Sequence, residues 1–205
     1  MRLHMFRFWG PTVQEIWKQV SEEIQAEYVD EGFWKGKKVV AKHGPWIITL
    51  DSYAISTGKT TIVFTRLRAP YVNPSHFSFR VCRRSWIQDL RKFFGAQDIV
   101  IGDEEFDRDF IIQGNDEEKV RKLFQNATIR QLIDDQPVIE LNSIDDEGWF
   151  GKTFPEDTDE LLYSVPGLLK DPERIKELFE LFAQLLDQLC LIGGAVDVPP
   201  NVTLD

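Results

Sequence analysis

The chain of 205 residues is 42% hydrophobic and 12% aromatic, and its formal net charge is −10. This composition supplies a packed core and excludes an intrinsically disordered protein. No apolar stretch approaches the roughly 20 residues that cross a bilayer, and the basic N-terminus lacks a signal-peptide apolar region. The 2 cysteines cannot form a disulfide framework. These features predict a soluble, cytoplasmic protein and argue against integral membrane association.

The two halves of the chain differ in charge. Residues 1–97 hold 15 basic and 8 acidic side chains, whereas residues 98–205 hold 9 basic and 26 acidic ones. Such an asymmetry suggests an interaction surface. Helix-surface composition is the alternative explanation, because the acidic half also contains most of the helical sequence.

The first predicted element is an amphipathic helix over about residues 11–31. Pro11 suits a first helical turn, where a missing N–H costs nothing, and Gly32 is expected to follow the last turn. Apolar residues recur with helical spacing at Val13, Ile16, Trp17, Val20 and Ile24.

Period-two patterns replace the helical spacing after this segment. Apolar and polar residues alternate most clearly over 77–82, which is typical of a strand with one buried face in an antiparallel sheet. Further strands are predicted over 39–41, 46–55 and 60–67, and a helix over 86–94.

The second half predicts both strands and helices. A final helix begins at Asp171 and ends at Gly193, and either Asn115 or Asp116 caps an earlier one. A further short helix carries Ile129 and Ile133. Strands are predicted over 98–101, 106–113, 138–141, 149–154 and 161–165.

We therefore predict a single α+β domain over residues 1–205. It has a largely antiparallel sheet with helices packed on one face, and amphipathic helices near both ends. The core covers about residues 33–192, and a mobile tail covers 193–205. A weak pseudo-duplication of residues 33–97 and 98–192 is an alternative, although the strands of the two halves match poorly in number and spacing.

Two local patterns suggest ligand chemistry without satisfying its requirements. Residues 56–60 read Ser-Thr-Gly-Lys-Thr, like the end of a phosphate-binding loop, but Tyr53 replaces the first glycine and a strand follows. A hairpin turn is the better interpretation. Acidic residues beside Gly102 could bind a hard cation, but their spacing is not that of a calcium loop. A solvated strand face is preferred for them, and they are Glu104, Glu105, Asp107 and Asp109.

No catalytic, cofactor-binding or metal-binding residue is predicted. The 3 histidines are isolated, no nucleophile elbow is present, and neither cysteine has a setting that would activate a thiolate. We expect a noncatalytic binding or assembly module acting through charge-segregated surfaces. The alternative is a small-molecule enzyme whose cleft is formed by residues distant in sequence.

The candidate interaction surface consists of charged residues from both halves. Basic residues interleaved with aromatics could hold nucleic acid, but a sequence pI near 4.9 argues against that partner. A second copy of the chain or another protein is favoured, and the sequence names no small-molecule ligand. The candidate residues are Arg66, Arg68, Arg80, Arg83, Arg84, Asp107 and Asp109.

Three segments, 44–51, 65–70 and 102–116, resemble a family of bacterial proteins of unknown function. The family marker is the string FD-x-x-F-x-I-x-G-N-D, which begins here at Phe106. The resemblance implies a bacterial source and a stand-alone soluble domain, and it implies no substrate, cofactor or catalytic residue. In physical terms the string reads as structural punctuation, with Gly114 allowing a backbone conformation that other residues resist.

Overall fold

An eight-stranded antiparallel sheet organises the described part of the chain. The structure, a computed structural model, describes residues 10–32, 36–56, 58–86, 98–145, 154–202 and 204. The strands in these residues are β1 (Glu27–Asp30), β2 (Lys37–His43), β3 (Trp46–Ser56), β4 (Thr61–Val72), β5 (Phe79–Arg83), β6 (Phe110–Gly114), β7 (Glu140–Ile144) and β8 (Thr158–Pro166). The α-helices are α1 (Val13–Glu23), α2 (Glu104–Asp109), α3 (Glu117–Phe124), α4 (Ala127–Asp134) and α5 (Pro172–Leu191). A 3-10 turn covers Arg84–Trp86.

Helices α1, α3, α4 and α5 cover one face of the sheet. Leu50, Leu67 and Tyr163 are cross-strand neighbours on that face, and all three are buried. The same core contains the apolar stripe of α5, which runs from Ile175 to Leu189. No described helix covers the opposite face, which we call the helix-free face. The predicted α+β fold with helices on one face is confirmed.

Both halves of the chain contribute to this one sheet. Its strand order is β1-β2-β3-β4-β8-β7-β5-β6, and every neighbouring pair is antiparallel. Strand β5 comes from the first half, yet it lies between β7 and β6 of the second. The described halves therefore share a sheet rather than forming two, and the duplication stays a prediction.

Helix α1 begins where the sequence predicts but ends earlier. The hydroxyl of Thr12 accepts a 3.2 Å hydrogen bond from the N–H of Glu15, whose carboxylate accepts one from the N–H of Thr12 at 2.8 Å. At the other end, Gln25 has a φ of 58° and the N–H of Ala26 bonds to a carbonyl five residues earlier. The predicted extent to residue 31 is wrong, because this left-handed turn leads directly into β1.

The segment predicted as a strand over 106–113 is half helical. Asp103 caps α2 by accepting a hydrogen bond from the N–H of Phe106, and acidic residues fill the first turn, where the helix dipole favours them. Strand β6 starts only at Phe110. Residues 98–101 form no strand either, although the N–H of Ile99 bonds to the carbonyl of Ile112. The helix predicted over 86–94 and the strand over 149–154 fall almost entirely outside the described residues.

The β6–α3 junction is built by three consecutive residues with different roles. Asp116 caps α3, whereas the side chain of Asn115 ties the junction to residues 76–78 through the N–H of Ser78 and the carbonyl of His76. Gly114 does not have a positive φ. A Cβ at this position would lie 2.5 Å from Cγ2 of Val120 and 2.9 Å from the carbonyl oxygen of Ser78. Close packing, and not an unusual backbone conformation, therefore requires the glycine.

The tail that follows α5 starts in contact with the core. Gly193 has a φ of 70°, and the N–H of Gly194 bonds to the carbonyl of Leu189 at 2.7 Å, so the predicted helix end is confirmed. Ala195 is buried, and the N–H of Val196 donates to the carbonyl of Val72 at 2.9 Å. The first residues of the predicted mobile tail are thus attached to the end of β4.

Replacing Gly114 with alanine is expected to destabilise the fold by about 1–3 kcal/mol, because the added methyl group must displace backbone as well as a side chain. Chemical denaturation of the two proteins measures the difference. Gly10→Ala is the control, since a Cβ at Gly10 meets nothing within 4 Å. Equal effects of the two substitutions would contradict the steric explanation.

Candidate interaction site

A buried carboxylate holds two arginines on the helix-free face. Asp51 on β3 lies opposite Arg66 on β4, and Arg68 is two residues further along β4. The carboxylate accepts hydrogen bonds from Arg66 Nε at 2.6 Å and Nη2 at 3.2 Å, and from Arg68 Nη2 at 2.7 Å. Asp51 is 5% exposed and Arg68 only 1% exposed. Arg68 therefore has a structural contact and almost no accessible surface, and its role in an interaction surface stays a prediction.

Arg66 remains partly accessible and continues into an aromatic pair. Its guanidinium carbon lies 4.8 Å from the ring centroid of Tyr53, within range of a cation–π interaction. The rings of Tyr53 and Phe64 stack at 5.2 Å, and the hydroxyls of Tyr53 and Ser164 share a hydrogen bond of 3.1 Å. The bidentate contact with Asp51 and the cation–π contact with Tyr53 fix the orientation of Arg66 within the chain itself.

Beyond the aromatic pair, β3 and β4 form a two-stranded ribbon with exposed apolar residues. Ile55 pairs with Ile62 on the helix-free face, and these side chains are 46% and 42% exposed. Val63 on the opposite face is also exposed, so the helices do not cover this end of the ribbon. The two strands pair as far as Ser56 and Thr61, which confirms the predicted hairpin. We define the ribbon patch as Tyr53, Ile55, Ile62, Phe64 and Arg66.

The other predicted arginines contact acidic residues of the second half of the chain. Arg80 on β5 pairs with Glu140 on the neighbouring strand β7. Arg84 pairs with the carboxylate of Asp98 and also donates to the carbonyl of Asp107 at 3.2 Å. These contacts hold β5 and the segment after it against the second half. Basic residues of the first half thus pair with acidic residues of the second half within one molecule.

Arg83 is a link between the sheet edge and helix α4. Its guanidinium donates to the backbone carbonyls of Asp134 and Gln136 at 2.6 and 3.2 Å, just beyond the helix end. It also lies 4.5 Å from the ring centroid of Phe110. Carbonyls at a helix C-terminus carry partial negative charge, so this contact stabilises the helix end.

The two acidic candidates, Asp107 and Asp109, lie away from the ribbon patch and contact residues close to them in sequence. The carboxylate of Asp107 accepts the N–H groups of Ile101 and Gly102 at 2.9 and 3.0 Å, which fixes the loop before α2. Asp109 pairs with its neighbour Arg108 at 2.8 Å. The structure therefore brings Arg84 next to Asp107, whereas Arg66 and Arg68 contact Asp51 on β3, so the seven candidates do not form one surface.

The helices explain only a small part of the charge asymmetry. Acidic residues outnumber basic ones in α1, α2 and α5, so the outer surface of these helices is acidic. Helix α1, however, belongs to the basic half of the chain, and α2 to α5 together carry a net charge of only −4. Most of the acidic excess of residues 98–205 therefore lies outside the helices.

A second buried carboxylate lies on the core side of the sheet. Asp159 is contacted by the Asn73 amide at 2.5 Å and by the Ser143 hydroxyl at 3.5 Å, and Ser143 bonds in turn to the Tyr71 hydroxyl at 2.6 Å. Burial raises the pKa of the Asp159 carboxyl, partly offset by the hydrogen bond from Asn73. Burial likewise raises the pKa of Tyr71. The Asn73 side chain also accepts the N–H of Phe77 and so fixes the turn before β5.

Four surface cavities formed by described residues lie away from this network. Their volumes are about 230–520 Å³, and none of these four is lined by Asp159, Tyr71 or Ser143. Within the described residues, no group of three or more His, Cys, Asp or Glu side chains could hold a metal ion. None of the described helices has both the length and the apolar character to cross a membrane. The raised carboxyl pKa is therefore associated with a structural hydrogen-bond network.

Fold and site together define an α+β protein whose sheet has one helix-covered face and one face with an exposed apolar and aromatic ribbon. No protein-family model matches the chain, and no curated protein sequence matches it. Among solved structures, the chain is similar to the mycobacterial trehalose monomycolate transport factor A, TtfA. The two chains share 9% identity over 93% of this chain and 98% of that chain, with a TM-score of 0.47. A similarity this distant does not show a function.

Replacing Asp51 with asparagine is expected to destabilise the protein by about 3 kcal/mol or more, because it removes the charge that two guanidiniums contact, one of them buried. Asp109→Asn is the matched control. Its pair with Arg108 is solvent-exposed and screened by water, so its loss is expected to change stability much less than the loss of Asp51. Thermal or urea unfolding of both variants tests the contrast, and similar losses would argue against a buried ionic anchor.

Replacing Asp159 with asparagine is expected to change how stability depends on pH. Because the folded-state pKa is raised above the ordinary value of about 3.9, the folded chain binds more protons than the unfolded chain between those two pKa values. Wild-type stability relative to Asp159→Asn should therefore rise as pH falls from 7 toward 4. Urea unfolding of both proteins across this range measures the difference. A difference that is constant or shrinks on acidification is the contrary result.

Proposed function

We propose that the chain is a noncatalytic assembly module that associates with a second copy of itself through the ribbon patch. The observation that carries this proposal is the continuous row of exposed Ile55 and Ile62, stacked Tyr53 and Phe64, and a fixed Arg66. Tyrosine and arginine are the residue types that most often dominate protein interfaces, and contiguous exposed apolar surface marks interaction sites.

The composition of the patch supports a dimer with twofold symmetry. An apolar centre is complementary to itself, so the same patch can serve both copies in an isologous contact. Exposed polar residues of the turn, including Ser56 and Thr60, would form the rim of such an interface. The patch differs from the charge-driven surface predicted from sequence, because most of the candidate arginines already contact carboxylates of their own chain.

Two features favour a noncatalytic role over an enzyme. The buried carboxylate network around Asp159 does not line any of the four cavities described above, and an active site usually places titratable groups with shifted pKa values inside a cavity. The ribbon patch is an exposed sheet surface rather than a cleft. A small-molecule enzyme with a cleft from distant residues therefore remains the weaker alternative.

Sedimentation velocity with the Ile62→Asp variant tests the proposed assembly. The wild-type chain should form a dimer at micromolar concentration, and a buried aspartate in the patch should weaken it by about tenfold or more. Leu168→Asp is the matched control, since Leu168 is as exposed as Ile62 and lies outside the patch. The dimer should also persist as salt rises, because apolar contacts are not screened.

Three outcomes would overturn this proposal. The wild-type chain could sediment as a monomer, the two substitutions could weaken association equally, or association could disappear between low and physiological salt. The last result would restore the charge-driven surface predicted from sequence. Circular dichroism on both variants establishes that neither result comes from unfolding.

A further inference from the structure

The chain's own tail covers a second apolar surface on the helix-free face. Four strands contribute to it with Val29, Val40, Ile47 and Pro70, and Pro45 joins them from the β2–β3 turn. The cover consists of tail residues Pro199, Pro200, Val202 and Leu204. We call the sheet part of this surface the tail groove.

The tail is attached at one end and only lightly held at the other. Val196 is joined to Val72 by a backbone hydrogen bond, and the N–H of Val198 turns back to the carbonyl of Val196 at 2.8 Å. Beyond this point, no hydrogen bond or ion pair joins residues 199–202 or Leu204 to the rest of the described chain. Apolar contact alone therefore holds the outer part of the tail.

The contact between tail and groove is incompletely packed. A cavity of about 340 Å³ separates the tail residues from the sheet residues. Ile47, in the middle of the groove, is still 42% exposed. Unfilled apolar space forfeits dispersion contacts and leaves surface in water, so a better-fitting segment can displace the tail.

The chemistry of the groove defines the class of occupant. Aliphatic and proline side chains make up most of its lining. Its polar lining residues are Thr49, Glu31 and the buried Lys38, which pairs with Glu31 at 3.0 Å. The resident segment reads Val-Pro-Pro-Asn-Val from residue 198. Two consecutive prolines favour an extended, preformed backbone that loses little entropy on docking and has few N–H groups to satisfy.

We propose that the tail groove is a binding site for an extended, proline-containing apolar peptide segment of a partner protein. Residues 198–202 and Leu204 are its resident occupant, and they reduce the affinity for partners until they are displaced. The anchor at Val196 keeps the tail near the groove, so the partner competes with a segment at high local concentration. This site is separate from the ribbon patch and does not depend on the assembly proposed there.

The test uses the full-length chain with its tail released by Val202→Asp and Leu204→Asp together. A fluorescent peptide with the wild-type sequence of residues 197–205 is titrated, and its anisotropy gives the affinity. The released-tail variant should bind this peptide about tenfold more tightly than the wild-type chain, because a short tether supplies an effective concentration in the millimolar range. A peptide carrying the same two aspartates should not bind.

Two further variants place the binding in the groove. Ile47→Asp, added to the released-tail variant, should abolish peptide binding, whereas Leu168→Asp, at the same exposure outside the groove, should leave it unchanged. Amide chemical-shift changes at Val29 and Val40 on peptide addition give a readout that does not rely on a folded Ile47→Asp protein. Changes confined to other strands would overturn the proposed site.

The remaining outcomes also decide the matter. Equal peptide affinity of the wild-type and released-tail chains, or no binding to either, would overturn the proposal. A dimer that the tail substitutions dissolve but Ile62→Asp does not would show that the tail occupies the groove of a second copy instead. Carrying out the titration in the Ile62→Asp background keeps failure of this proposal distinguishable from failure of the proposed ribbon dimer.

Discussion

One-sided coverage of the sheet is the constraint on which the rest of this structure depends. Eight antiparallel strands present two faces, and the described helices cover only one of them. The helix-covered face is therefore mostly apolar, and its buried polar residues, such as Asp159 and Thr65, are hydrogen-bonded. The opposite face has no helix layer in the described residues. Its charged, aromatic and apolar residues must therefore be stable without one. Both surfaces proposed for binding lie on that face.

Asp51 shows how the helix-free face meets this requirement. A buried arginine is tolerated only when its charge is paired, and Asp51 contacts both Arg68 and the more accessible Arg66. The same contact orients Arg66 over Tyr53 at the start of the ribbon patch. A structural ion pair and a candidate interface are thus adjacent parts of one arrangement.

The charge asymmetry along the chain has a different meaning in the folded molecule. Insertion of β5 between β7 and β6 places basic residues of the first half beside acidic residues of the second, as in the pair Arg80–Glu140. Helices α1, α2 and α5 have acidic outer surfaces in both halves of the chain. The asymmetry therefore contributes to internal assembly of the sheet, whereas the acidity of the helix layer is a separate feature.

Local signals in the sequence, namely periodicity, turn residues and helix caps, were enough to predict the fold class, the β3–β4 hairpin and the ends of α5. Arg66 was among the candidates predicted from the sequence. The rest of the ribbon patch could be recognised only from the register of β3 and β4, which pairs Tyr53 with Phe64 and Ile55 with Ile62. Tertiary structure alone decided that Arg68 is buried, that Gly114 is sterically required, and that the tail covers a groove. Each of these depends on contacts between residues distant in sequence, which no local pattern specifies.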